Sequence, residues 1–140
     1  MAKTLGIHIV ADLYGCDPEI LKSATKMADI FEGAVKFANL NKLSSHYHQF
    51  HPYGATGVVV ISESHLSFHT WPEHKYAAID VYTCGSHEAA FKAFDYIVKK
   101  LKPKKIEKQI HYRGVIDDNQ KVCFAKEKQK ENIAEFEIVQ

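Results

Sequence analysis

Between residues 56 and 85 the sequence sets reactive side chains against a strongly apolar stretch. Val58-Val59-Val60-Ile61 reads as a buried strand by composition. Ser62-Glu63-Ser64-His65 follow at once, where polar groups need a reason. His69 and Trp71 stand two apart on the strand expected next and so share a face, as do Asp80, Tyr82 and Cys84 on the strand after it. A hydroxyl nucleophile (Ser64), a base (His69) and a thiol (Cys84) are then expected to converge at one end of a sheet, which is the equipment of nucleophilic or acid–base catalysis. Singly, each has a plainer role. Ser64 suits a turn or strand end, His69 a hydrogen-bonded strand position, Cys84 a small buried apolar site, and Phe50 and Trp71 a core. Cys16 and Cys123 keep that plain reading.

The elements that must position these groups are legible from periodicity. Leu5, Ile7 and Ile9 alternate as a first strand, and Tyr14-Gly15-Cys16 reads as the turn after it. Asp17 followed by Pro18 is a helix start, and Ile20, Ala24, Met27, Phe31 and Val35 continue at helical spacing as one helix. Strands are expected over 42–50, 58–61, 66–71, 77–83 and 106–112, with a turn at Pro52-Tyr53-Gly54. Ser86 caps a second helix that carries Ala90, Phe91, Phe94, Val98 and Leu101 and ends before Pro103. Asp117-Asp118 reads as a surface turn, and the charged tail from Lys126 as an added helix, an edge strand or a disordered segment. Helices and strands that do not alternate strictly argue for an α+β fold, a two-layer sandwich with helices packed on one face of a mostly antiparallel sheet. Residues 1–140 form one domain, with 115–140 as a variable tail.

Composition narrows the partners. The chain has 140 residues and a formal net charge of +1, with 46% hydrophobic and 25% charged residues. That is enough for one core, and small enough that a deep substrate site calls for a second subunit. The charge gives no field to draw it to nucleic acid, and Lys99, Lys100, Lys102, Lys104 and Lys105 read as a solvated helix end. No secretory h-region is expected, nor any apolar run near the roughly 18 residues of a membrane span. Three cysteines without a CxxC pair suit a reducing cytoplasm. His46, His48 and His51 invite a zinc reading, but a structural zinc site shows clearer Cys/His pairing, and no metal is expected.

Three strings carry a resemblance: Ser62-Glu63-Ser64-His65-Leu66, His69-Thr70-Trp71-Pro72-Glu73, and Tyr76-Ala77-Ala78-Ile79-Asp80-Val81-Tyr82-Thr83-Cys84-Gly85. With Pro52-Tyr53-Gly54-Ala55-Thr56-Gly57 and the opening from Gly6 to Asp17, they resemble the short bacterial and archaeal S-adenosylmethionine decarboxylases over about residues 4 to 112. The resemblance implies a proenzyme that cuts itself between Glu63 and Ser64 into chains 1–63 (β) and 64–140 (α), turning Ser64 into a pyruvoyl group. That group forms a Schiff base with the substrate and does what pyridoxal phosphate does elsewhere. It further implies His69 as the base of processing, Thr56 assisting where relatives carry Ser, and Cys84 as the proton donor of catalysis. Phe50 and Trp71 are implied to sandwich the adenine of S-adenosylmethionine, and Glu73 to hold its ribose. The resemblance also implies that two protomers associate with the sites at their interface, and that the product feeds spermidine synthesis.

Two other functions compete. One is decarboxylation of arginine or another amino acid on the same scaffold; Phe50, Trp71 and Glu73, an adenosine-shaped set, argue against it. The other is a non-catalytic relative that binds a metal or nucleotide, against which stand intact Ser64, His69 and Cys84.

Overall fold

The computed structural model of the chain describes residues 3–122 and the backbone of 134–138. Its strands are β1 (Lys3–Tyr14), β2 (Lys42–Gln49), β3 (Ala55–Ile61), β4 (Ser64–Trp71), β5 (Tyr76–Thr83), β6 (Lys105–Ile116) and β7 (Ala134–Ile138). Its helices are α1 (Pro18–Leu21), α2 (Ala24–Phe37) and α3 (His87–Leu101), with a single 3-10 turn at Pro72–His74. The strands make one sheet in the order β2-β3-β4-β5-β1-β6-β7, and every pairing is antiparallel. The expected α+β sandwich is therefore present. Within the tail β7 is an edge strand on β6, while Cys123 lies outside the described residues.

Alternation along each strand decides which side is covered. Ile7, Ile9, Ala11 and Leu13 of β1, Leu66 and Phe68 of β4, and Ile79 and Val81 of β5 are buried under the helices. Met27 and Phe31 of α2 and Phe94 and Ile97 of α3 close the core from above, and the rings of Phe31 and Phe68 meet at 4.8 Å between centroids. Each such large side chain contributes roughly 1.5–3 kcal/mol on burial. Among the described residues, no helix covers the other face of the sheet. It presents His8, Thr56, His65, His69, Trp71, Asp80 and Tyr82, in part or fully exposed.

One expectation is corrected. The helix opened by Asp17 does not run through to Val35, because it stops at Leu21 and restarts after Ser23. Polar capture of the chain explains the break. Leu21 O accepts the Thr70 hydroxyl at 2.7 Å, and Lys22 O accepts both Gln49 Nε2 at 2.8 Å and Gly54 N–H at 3.2 Å. Ala24 N–H donates to Gln49 Oε1 at 2.6 Å, and Ser23 caps the new helix through Lys26 N–H. Gln49 Nε2 also reaches Gly54 O at 2.9 Å, so one amide fastens the helix break to the loop between β2 and β3. Ser86 caps α3 as expected, accepting from Ala89 N–H, and α3 ends at Leu101 before Pro103.

Thr70 is 7% exposed and also accepts from Ala55 N–H at 2.9 Å. Thr70→Val removes a hydroxyl that satisfies two buried backbone groups. It is expected to destabilise the fold by about 1–3 kcal/mol, read as a lowered urea midpoint at fixed protein concentration, whereas Thr70→Ser retains most of the stability.

Candidate active site

β3 and β4 are joined by the two-residue turn Ser62-Glu63, with Ile61 paired to Ser64 across it. The turn is held from both sides. Ser62 N–H donates to Asn41 O at 2.8 Å, and the Glu63 carboxylate accepts from Ser62 Oγ at 3.0 Å and Asn41 N–H at 3.3 Å. From β5, Cys84 N–H donates to the Glu63 carbonyl at 2.7 Å. Gly85 permits this approach, since a Cβ there would stand 3.1 Å from Glu63 Cγ. Ser64 itself has φ +152°, a conformation that side chains other than glycine seldom adopt and that costs about 1–3 kcal/mol. The strained residue, a polarised carbonyl preceding it, and the exposed Cys84 thiol thus share one end of the β4–β5 pair.

A second cluster forms at the other end of β4. Thr56 pairs with His69 across β3 and β4. The Thr56 hydroxyl lies 3.1 Å from Phe68 O and 2.5 Å from His69 Nδ1. A hydroxyl that gives its hydrogen to Phe68 O accepts from the ring, which places the imidazole proton on Nδ1 and leaves Nε2 as the basic nitrogen. The extra methyl of Thr56 does not disturb this bond. Beside His69 opens a cavity of about 290 Å³ walled by Phe50, Tyr53, Trp71 and Glu73. Phe50 and Trp71 are 48% and 41% exposed and line this cavity, outside the core. The Gln49 amide fixes the loop that carries Phe50 and Gly54.

The expected convergence of Ser64, His69 and Cys84 within one chain does not occur. Ser64 and His69 lie five residues apart on β4, about 16 Å at roughly 3.3 Å per residue. The strand period also sends them to opposite faces. Ser64 shares its parity with buried Leu66 and Phe68, His69 with exposed Trp71. Each protomer holds a nucleophile end and a base-and-cavity end.

Sequence reasoning missed a network on the open face between these ends. Asp80 Oδ1 accepts from His8 Nε2 at 2.7 Å and His65 Nε2 at 3.0 Å, and Asp80 Oδ2 accepts the Ser67 hydroxyl. Arg113 lies 3.2 Å from His8 Nδ1 and sits over the Tyr82 ring at 4.7 Å. Burial alone raises the Asp80 carboxyl, but hydrogen bonds from His8 and Ser67 and the charges of His65 and His8 outweigh it and hold Asp80 below the usual carboxylate range. The only signal was shared parity on β1, β4 and β5, which requires the sheet order to be known. The ligand atoms of His8, His65 and Asp80 lie within 4.8 Å of one another, the closest approach to a metal site among the described residues. The carboxylate is already satisfied by donors, and the guanidinium alongside disfavours a second cation. His46, His48 and His51 form no such group among the described residues. Cys16 is buried, donates to Leu13 O, and has its thiol pushed up to about 12 by burial, an inert apolar position.

Comparison with known proteins decides the family. The model of the family described as S-adenosylmethionine decarboxylase matches residues 7–114. The chain belongs to the S-adenosylmethionine decarboxylase family. A relative from Sulfurihydrogenibium sp. (strain YO3AOP1), named S-adenosylmethionine decarboxylase proenzyme, is 61% identical over 119 residues, spanning 85% of this chain and 90% of the relative. A relative of the same name from Aquifex aeolicus is 57% identical over 118 residues, spanning 84% of this chain and 87% of the relative. The crystal structure of the adenosylmethionine decarboxylase from Aquifex aeolicus superposes with a TM-score of 0.81 at 56% identity, covering 84% of this chain and 97% of that one. Trypanosoma brucei AdoMetDC-delta26, at 16% identity and a TM-score of 0.56, shares the fold. The matched span contains both ends of β4 and the Asp80 network.

A carboxyl depressed in the folded state stabilises the fold above its ordinary range, and that contribution fades as acid protonates it. Asp80→Asn is therefore expected to lower stability at pH 7 by about 1 kcal/mol, allowing for partial exposure. The gap to the unaltered chain should close as pH falls below about 4, followed by urea midpoints across pH 7 to 3. A gap that stays constant over that range contradicts the assignment.

Proposed function

We propose that the chain is a pyruvoyl-dependent S-adenosylmethionine decarboxylase that makes its own prosthetic group at Ser64 and completes each active site with a second copy. The observation that carries the reading is the strained Ser64 following a carbonyl that Cys84 N–H holds at 2.7 Å, in a chain of this family.

The processing chemistry uses this chain's own atoms. Ser64 Oγ adds to the Glu63 carbonyl carbon, whose developing oxyanion lies on the Cys84 N–H. The amide nitrogen then leaves, and the amide becomes an ester. Departure of the bond also releases the φ strain at Ser64. A base takes the Ser64 α-proton, Glu63 departs as a carboxylate, and hydrolysis of the residual dehydroalanine releases ammonia. His69, whose Nδ1 is held by the Thr56 hydroxyl, has Nε2 free to serve as that base.

The site suits the group so formed, which when present supplies an electrophilic carbonyl that engages the substrate amine and accepts electrons as carbon dioxide leaves. Cys84 adjoins it and delivers the proton that the substrate carbon then needs. Phe50 and Trp71 offer faces to the adenine and attract the sulfonium by roughly 0.5–2 kcal/mol, and Glu73 offers a carboxylate to the ribose hydroxyls. The product is the aminopropyl donor for spermidine. No helix among the described residues is long and apolar enough to cross a membrane, and an exposed catalytic thiol suits a reducing cytoplasm.

The separation along β4 supports the homodimer. A second copy related by a two-fold axis near the middle of that strand brings its own base-and-cavity end to the nucleophile end of the first.

Co-expression of Ser64→Ala and His69→Ala chains tests this arrangement. Each alone is expected to stay uncut, or in the second case to cut at least about 100-fold more slowly. In mixed dimers the His69→Ala chain should be cleaved, and carbon dioxide should then be released from S-adenosylmethionine and not from arginine. Mixed dimers in which that chain stays intact contradict a shared site, and release from arginine alone contradicts the substrate.

A further inference from the structure

Thr83 is wholly buried, one of two buried polar residues among those described, and its Oγ1 accepts the Gly85 N–H at 3.0 Å. The hydroxyl hydrogen itself has no hydrogen-bond partner among the described residues. A buried donor without a partner costs about 1–3 kcal/mol, so its retention in the core of a sheet asks for a reason.

The register of β4 and β5 supplies one. Ser64 is paired with Thr83, and the Cys84 N–H to Glu63 O bond continues the ladder by one residue. Residues 63 and 84 are therefore the hydrogen-bonded pair, and 64 and 83 the narrow pair beside it, in which side chains stand closest, with Cβ atoms about 4.5–5.5 Å apart. Both side chains belong to the helix-covered parity of their strands, Ser64 with Leu66 and Thr83 with Val81. Thr83 Oγ1 thus stands on the side of the sheet that strand parity assigns to Ser64, and Ser64 Oγ likewise has no hydrogen-bond partner among the described residues. At the same time Gly85 N–H, anchored on Thr83, fixes the turn that aims Cys84 N–H at the Glu63 carbonyl.

We propose that Thr83 is the positioning residue for backbone cleavage: its hydroxyl holds the 83–85 turn through Gly85 N–H and orients Ser64 Oγ toward the Glu63 carbonyl. The inference deepens the self-processing reading and rests on it. The acceptor side of Thr83 controls the carbonyl, through Cys84, and the donor side controls the nucleophile. Both groups of the first bond-forming step are then referred to one buried oxygen, and neither depends on the solvent-exposed turn residue Ser62.

The test compares Thr83→Val and Thr83→Ser. Cleavage is followed by intact mass, and amide exchange is measured at Cys84 and Gly85 in a Ser64→Ala background that cannot cleave under any reading. Thr83→Val is expected to fold and to cleave at least about 10-fold more slowly, while Thr83→Ser stays within about threefold of the unaltered rate. In the uncleavable background, Thr83→Val should speed exchange at Gly85 and Cys84 at least about 10-fold, with amides of β1 unchanged, and Thr83→Ser should not. Cleavage of Thr83→Val at the unaltered rate, or equal slowing by both variants, overturns the proposal. A Thr83 chain that never cleaves overturns the self-processing reading instead, and the exchange data then still decide whether Thr83 holds the turn.

Discussion

The register between β4 and β5 is the constraint on which the rest of the site depends. Because Ser64 stands opposite Thr83, the next rung down joins Cys84 N–H to the Glu63 carbonyl, and the ordinary hydrogen bonding of a sheet supplies a donor to the carbonyl proposed to be cut. A slip of one residue would move every side chain of β4 to the other face. It would expose Leu66, Phe68 and Thr70, and would take the carbonyl off Cys84. Burial of Leu66, Phe68, Ile79 and Val81 therefore guards the chemistry. The apolar core pays for a strained serine at a strand end.

The second consequence of the strand is distance. An extended chain separates Ser64 from His69 and turns them to opposite faces, so no rotamer change within one protomer brings them together. Among the described residues, one face of the sheet is left without helices. That face carries an aromatic-walled cavity, a histidine with a defined tautomer, and between the two ends a carboxylate fully occupied by His8, His65 and Ser67. Such a face leaves room for the second copy proposed above.

The architecture was legible where periodicity is strong. The strand alternation of Ile7 to Leu13, the helix of Ala90 to Leu101 with its Ser86 cap, and the apolar run before Ser62 all read directly from residue order. The break at Lys22 was not legible, because the groups that stop the helix, Thr70 and Gln49, come from strands more than twenty residues away. Phe50, Trp71 and Glu73 were named from motif resemblance, and the fold places them around one cavity. Spacing alone misplaced His69 relative to Ser64, since it overlooked strand parity and rise. The Asp80 network and the role argued for Thr83 depend on which strands are neighbours. Sheet order across β1, β4 and β5 is a property of the whole chain and not of any local stretch.

The most direct measurement is the intact mass of the purified protein under denaturing conditions. The account predicts two chains, residues 1–63 and residues 64–140, the second lighter by one ammonia than its sequence requires and blocked at its amino end. A single full-length species that persists through long incubation, or a second chain with the mass of unmodified serine at its start, would contradict it.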